Sequence, residues 1–353
     1  MANITINFLR TRFIQLNIVR ITVKYVTVIV VAFFLFGLIL RFAGKDPIVA
    51  IKETIIYTLG TTSGFSEVIV KMIPLILTAV AVALPARVGL INVGAEGQLY
   101  MGAWLATWGA LTFNQLPGYL LLSIMILLGS IGGAGWAFIP VFLRARGLVN
   151  ETITTLLLNY VAPTIVAFFV YGSWRSQENA MYPQTVDFVS AARLPSFWGT
   201  RIHLGLFIGI IVLIIYWYVM KYTKWGFEMR AIGGNPQASK QNGIPLILYL
   251  IVVMCVGGAI AGLGGMSEIS GIHGRLRPNF SPGFGYMGFL ISWLSNGNPI
   301  GIFLMSFVVA MITSGGDILQ INQGLPFAVV NILLAIALYT VLYQPSFWER
   351  KKA

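Results

Sequence analysis

Residues 88–102 read Val-Gly-Leu-Ile-Asn-Val-Gly-Ala-Glu-Gly-Gln-Leu-Tyr-Met-Gly. They set Asn92, Glu96 and Gln98, with glycines at 89, 94, 97 and 102, between two apolar runs at 72–86 and 99–113. A carboxylate and two amides are costly next to lipid. Each glycine weakens a helix by about 1 kcal/mol. A broken, polar element at a membrane crossing persists only where protein or a water-filled cavity surrounds it. The stretch therefore predicts a transport path inside a bundle of membrane helices.

The rest of the chain agrees. Of 353 residues, 57% are hydrophobic and 10% charged, with a mean hydropathy of +0.83; a soluble domain carries about 25% charge. The net charge of +12 comes without a basic cluster on a soluble domain, so it points to membrane topology rather than nucleic acid. The single cysteine, Cys255, excludes an internal disulfide and a cysteine metal cluster. The two histidines, His203 and His273, are far apart and lack metal-ligand spacing. The first 24 residues hold Arg10, Arg12, Arg20 and Lys24, and the apolar run after them is too long for a signal-peptide core. It reads as a retained first helix.

Apolar segments of about 17–25 residues span a bilayer. Candidates are 22–42, 72–87, 97–113, 119–143, 152–172, 204–221, 245–266, 284–296, 299–314 and 325–343. The fold class is an all-α polytopic transmembrane bundle of about ten crossings, read as a single permease domain over 1–353. With the N-terminus inside, the inner segments hold 14 of 23 basic and 4 of 11 acidic residues, leaving +10 inside and +2 outside. That matches the positive-inside rule and places both termini in the cytoplasm. Residues 44–71 are expected outside the bilayer with a short surface helix, and 173–203 as an outer loop. An echo between 74–98 and 245–268, each a small-residue helix running into a glycine cluster, suggests an inverted repeat with the path between its halves.

On the inner side, 221–246 form the longest polar stretch between helix ends. Asn235-Pro236 is a helix-start signal, and Gly243 can end that helix. A short helix over about 236–242 is predicted to lie across the inner face.

Three stretches carry a family resemblance: Gly89-Leu-Ile-Asn-Val-Gly-Ala-Glu-Gly-Gln98, 150–160 with Asn150, Glu151, Thr154, Thr155, Asn159 and Tyr160, and 231–244 with Gly233, Asn235, Ala238 and Gly243. Ser281-Pro-Gly-Phe-Gly-Tyr286 and Asn298-Pro-Ile-Gly301 also fit. Through them the chain resembles the membrane permeases of ATP-binding-cassette (ABC) importers, in the branch for simple sugars, nucleosides and branched-chain amino acids. It is most similar to purine-nucleoside permeases. The resemblance covers about residues 20–345. It implies a permease subunit of an ATP-driven importer in the cell membrane, paired with a second permease, identical or homologous. It also implies an ABC ATPase subunit and an extracytoplasmic substrate-binding lipoprotein.

The resemblance further implies that 221–246 is a cytoplasmic coupling loop whose short helix docks on the ATPase, with Gly226, Asn235, Ala238 and Gly243 as the coupling residues. The common Glu-Ala-Ala, three residues, Gly pattern appears here as Gln237-Ala238-Ser239, three residues, Gly243. No P-loop is present to cradle nucleotide phosphates. The chain is therefore not an enzyme and binds no cofactor, with ATP and Mg²⁺ held on the partner ATPase.

Several residues are candidates for the path. Asn92, Glu96 and Gln98 either line it or lock the broken helix by bonding free backbone groups; the locking role weighs more. Asn150, Thr154 and Asn159 either face the cavity or cross-link helices. Phe280 and Phe284, with Tyr286 and Trp293, either stack on a base or anchor at the membrane interface. Gly129, Gly133, Gly257, Ala261 and Gly265 have the spacing of close helix packing. Alternatives to a nucleoside permease are a sugar or riboflavin permease of the same branch, or an ion-coupled secondary transporter. Against ion coupling, Glu96, Glu151, Glu268 and Asp317 sit near predicted helix ends or breaks.

Overall fold

The computed structural model describes residues 44–177 and 182–325, with a few isolated positions outside them. The predicted first and last crossings, 22–42 and 325–343, fall almost wholly outside the described residues. Eleven α-helices lie among the described residues: α1 Pro47–Gly60, α2 Thr62–Ala86, α3 Ala95–Thr112, α4 Gly118–Ala145, α5 Glu151–Tyr171, α6 Gly205–Tyr222, α7 Lys224–Gly234, α8 Pro236–Gln241, α9 Leu246–Glu268, α10 Phe284–Leu294 and α11 Pro299–Gln323. Strands are absent among those residues apart from the isolated bridges Arg175–Thr185 and Ser196–His203. Helices α2, α4, α5, α6, α9 with its π-helical extension to His273, and α11 are long and apolar enough to cross a membrane.

The chain divides into two compact units, Thr61–Met311 and Met1–Gly60 with Ile312–Ala353. In the second of these, Leu40, Ala50, Leu319 and Leu325 form a buried apolar cluster. Gln323 there donates to the Glu53 carboxylate at 2.8 Å.

The Thr61–Met311 unit is built around α9, with α2, α3 and α4 packed along it. Small residues let the backbones meet. A methyl group on Gly102 would overlap the backbone of Gly262, one on Gly133 would overlap Gly258, and one on Gly265 would overlap the Leu99 carbonyl. Ala261 is buried with Ala81, Val82 and Ala95. Lipid tails are as apolar as leucine, so close backbone packing, rather than water exclusion, holds such helices together.

Three local readings shift. Helix α2 starts at Thr62, ten residues before the predicted crossing, because the Thr61 hydroxyl accepts from Gly64 N at 3.0 Å and caps it. The 221–246 loop holds two helices rather than one, since α7 precedes the expected short helix α8. Gly264 and Gly265, half of the internal echo, lie inside α9 rather than in a break. Gly265 seats on the Leu99 carbonyl of α3, so the glycine there serves close helix packing within a continuous helix.

The glycine packing makes a prediction. Gly262→Ala should lower stability by about 1–3 kcal/mol through overpacking. Gly135→Ala, on the exposed side of α4 with open space around it, should leave it unchanged or slightly raised. Thermal midpoints of the detergent-solubilised variants check this, and equal midpoints would refute the packing account.

Candidate functional site

Helix α2 ends at Pro85-Ala86, and the chain turns back through 87–94 with Gly89 at φ +82°, a left-handed conformation suited to glycine. Helix α3 begins at Ala95 with a glycine, Gly94, at its N-cap. Its first N–H groups therefore need partners from elsewhere.

Asn159 supplies one at Gly97, and Asn92, held by Gln98, fixes the N-cap residue Gly94. Asn92 Oδ1 accepts from Gly94 N at 3.0 Å. Asn92 and Gln98 exchange two amide bonds, each 3.0 Å, and Asn92 Nδ2 donates to the Ala81 carbonyl at 3.2 Å. Asn159, from the middle of α5, accepts from Gly97 N through Oδ1 at 2.8 Å and donates through Nδ2 to the Val93 carbonyl at 2.8 Å.

Glu96 turns the other way. Its carboxylate accepts from Gly285 N at 2.6 Å and bonds Ser281. Ser281 Oγ accepts from Gly283 N at 3.2 Å and Phe284 N at 3.1 Å. Together they cap α10, whose 11 residues reach about 16 Å against a bilayer core of about 30 Å. The eighth predicted crossing is thus a half-helix preceded by irregular chain at 275–283. A negative group at a helix N-terminus is favourable. Asn92, Glu96, Gln98 and Asn159 are 0%, 4%, 1% and 2% exposed, which removes all four from the lipid surface.

Aromatic rings stand beside this junction. Tyr100 and Phe280 lie 4.6 Å apart between centroids, and Tyr100 bonds the Ser281 backbone. The Tyr286 hydroxyl bonds Asn159, while the ring of Tyr286 stays exposed. Phe284 is buried in packing, and its carbonyl accepts from the Thr78 hydroxyl at 3.0 Å.

The structure thus brings together Asn92, Glu96, Gln98, Asn159, Phe280 and Phe284. It leaves Asn150 and Thr154 apart. Asn150 caps α5 by accepting from Thr152 N at 2.8 Å, and the Thr154 hydroxyl donates back to the Asn150 carbonyl at 2.9 Å. Glu151 pairs with Arg144 at 3.1 Å. Thr155, not Thr154, faces the break, packed on Gly94. Ser281 and Thr155 stood in the sequence only as parts of the family motifs, and Tyr100 only within the 88–102 stretch; none was a candidate for the site.

In the 221–246 loop, the Thr223 hydroxyl accepts from Gly226 N at 3.2 Å and caps α7. Gly226 lies so close to the Val219 carbonyl that any side chain would overlap it. Asn235 Oδ1 accepts from Ala238 N at 3.0 Å, with Pro236 opening α8 as expected. Gly243 follows at φ +79°. Trp225 and Phe227 are exposed on α7, whereas Met229 and Ile232 are buried.

Six helices among the described residues, long and apolar enough to cross a bilayer, with the polar junction buried among them, define a multi-pass membrane protein. The chain belongs to the family described as branched-chain amino acid transport system / permease component, which matches residues 64–342. It is 35% identical over 322 residues to the glucose ABC transporter permease protein TsgB13 of Haloferax volcanii, covering 88% of this chain and 84% of that one. It is 32% identical over 320 residues to the nucleoside ABC transporter permease protein NupB of Lactococcus lactis, covering 87% of each. The guanosine ABC transporter permease protein NupP of Bacillus subtilis is 30% identical over 283 residues, 78% of this chain and 80% of its own. The protein is the permease component of an ABC transporter, and its relatives are permease subunits rather than ATPases.

The junction predicts a ranking. Glu96→Ala leaves Gly285 N without its acceptor, a loss of about 1–3 kcal/mol for a buried donor. Glu96→Gln keeps a carbonyl acceptor there and should lose less. Thermal midpoints of the purified variants check the order, and equal losses would show that the helix cap is not what Glu96 supplies.

Proposed function

We propose that this permease imports nucleosides, with purine nucleosides as the leading substrates, driven by ATP hydrolysis on a separate ABC ATPase that holds ATP and Mg²⁺. This chain itself holds no cofactor. A second permease, identical or homologous, completes the pore, and an extracytoplasmic lipoprotein delivers substrate. The protein sits in the cell membrane with both termini in the cytoplasm, as the excess of basic residues on the inner segments favours.

The observation that carries the substrate reading is the chemistry of the junction. Its amides and carboxylate are occupied by backbone partners, and aromatic rings at Tyr100, Phe280 and Tyr286 stand beside them. Such a wall suits a neutral ring that must pass without tight binding. The nucleoside and guanosine permeases among the relatives support it. A second reading, import of a simple sugar, is favoured by the 35% identity to a glucose permease.

In the proposed cycle the ATPase grips α7 and α8. The exposed aromatics Trp225 and Phe227 and the small residues Ala238 and Gly243 suit a groove on that partner. Closure on ATP rocks the permeases between outward and inward states, with Asn92, Glu96, Gln98, Asn159, Phe280 and Phe284 as the path or its framework.

Uptake of radiolabelled guanosine, adenosine, ribose and glucose, with and without this gene and with the proton gradient dissipated at held ATP, tests the reading. Gene-dependent guanosine or adenosine uptake that survives the uncoupler is expected. Ribose or glucose uptake instead would replace the substrate. Gly243→Trp should abolish uptake while insertion and yield stay intact; normal uptake by that variant would overturn the coupling assignment.

A further inference from the structure

Arg87 ends α2, and nothing in the transport path uses it. Its side chain reaches three groups on other elements. Nε donates to the Tyr216 hydroxyl of α6 at 3.1 Å. Nη2 donates to the carbonyls of Gly297 at 2.5 Å and Asn296 at 3.1 Å, just past the C-terminus of α10. Tyr216 itself donates to the same Gly297 carbonyl at 2.8 Å. The receiving turn is specialised, with Asn296 at φ +49° and Gly297 at φ +62°. A methyl group on Gly297 would lie 2.6 Å from the guanidinium.

The backbone of Arg87 faces a different element. Gly233 of α7 seats so closely on the Arg87 carbonyl that any side chain there would overlap it. One residue therefore touches the coupling loop with its main chain and the end of α10 with its charge. Helix α10 is then held at both ends, by Glu96 at Gly285 N and by Arg87 at Gly297 O. Each charge has the sign that suits its helix end. A short helix gripped at both ends moves as one body.

We propose that Arg87 is the positioning residue that carries movement of the coupling loop into α10, and through Glu96 into the broken crossing. This rests on the reading of α7–α8 as the ATPase contact.

The test uses the assembled transporter, permease with its ATPase, in proteoliposomes with the substrate-loaded lipoprotein. Thermal midpoint, basal ATP hydrolysis, lipoprotein-stimulated hydrolysis and uptake are read for Arg87→Gln, Arg87→Lys, Tyr216→Phe and Gly243→Trp. Arg87→Gln is expected to assemble with wild-type basal hydrolysis and to lose about tenfold or more of the stimulation and uptake, the scale of charge-assisted bonds. Arg87→Lys should recover part of it, since an ammonium still reaches a carbonyl. Stimulation and uptake of Arg87→Gln within about twofold of wild type, well under one such bond, would overturn the proposal. So would parallel loss of midpoint, basal hydrolysis and uptake in both Arg87 variants, which marks a clamp. If Arg87→Gln does not assemble, Tyr216→Phe decides: partial loss of stimulation at an unchanged midpoint supports the joint, and wild-type stimulation overturns it. Wild-type uptake by Gly243→Trp would instead remove the underlying coupling reading; uncoupling by Gly243→Trp without effect at Arg87 removes the joint alone.

Discussion

The bond from the Glu96 carboxylate to Gly285 N holds the start of α10 within the bundle. Backbone groups set free inside a bilayer find no water, and each one left bare costs several kcal/mol. A half-helix and a broken crossing therefore exist here only because side chains replace the missing turns. Glu96 and Ser281 serve α10, while Asn92, Gln98 and Asn159 serve the start of α3. Remove these side chains and the irregular segments have no stable place among the helices.

Around that junction the remaining helices are arranged by backbone proximity. Helix α9 meets α3 and α4 at Gly102, Gly133, Gly258, Gly262 and Gly265. Short side chains bring α3 near enough to α10 for one carboxylate to bridge them. The packing and the polar junction are thus two parts of one solution. A closely packed core without the junction would leave bare backbone, and the junction without close packing would be out of reach. For a transporter this combination is useful, because a few directional bonds can exchange partners while the glycine-packed helices stay together.

Much of this was legible in the sequence, and the rest was not, for a physical reason. The break at 88–98 announced itself through glycines and buried-type polar residues in an apolar context. The small-residue spacing in α4 and α9 marked close packing. Asn235-Pro236 and Gly243 marked a short helix because capping is local chemistry. The partners of Glu96 and Arg87 were invisible, since they lie 189 and 210 residues away, and a single sequence carries no record of such contacts. Helix α7 lay inside a stretch read as a polar loop; close contact with α6 and with Arg87 at the end of α2, together with the Tyr249–Glu228 bond, holds it in place. Asn150 and Thr154 had the spacing to join Asn159, but the cap at the start of α5 uses them.

Accessibility of Tyr286 tests the central claim most directly, because its exposed ring borders either lipid or the path. Cys255 is the only cysteine, so Tyr286→Cys in a Cys255→Ser background gives one reactive position. The account predicts labelling by a charged, water-soluble thiol reagent in the assembled transporter, slowed when guanosine is supplied with the lipoprotein. A thiol that stays unlabelled in every state, with and without ATP, would place α10 against lipid and contradict a path along the junction.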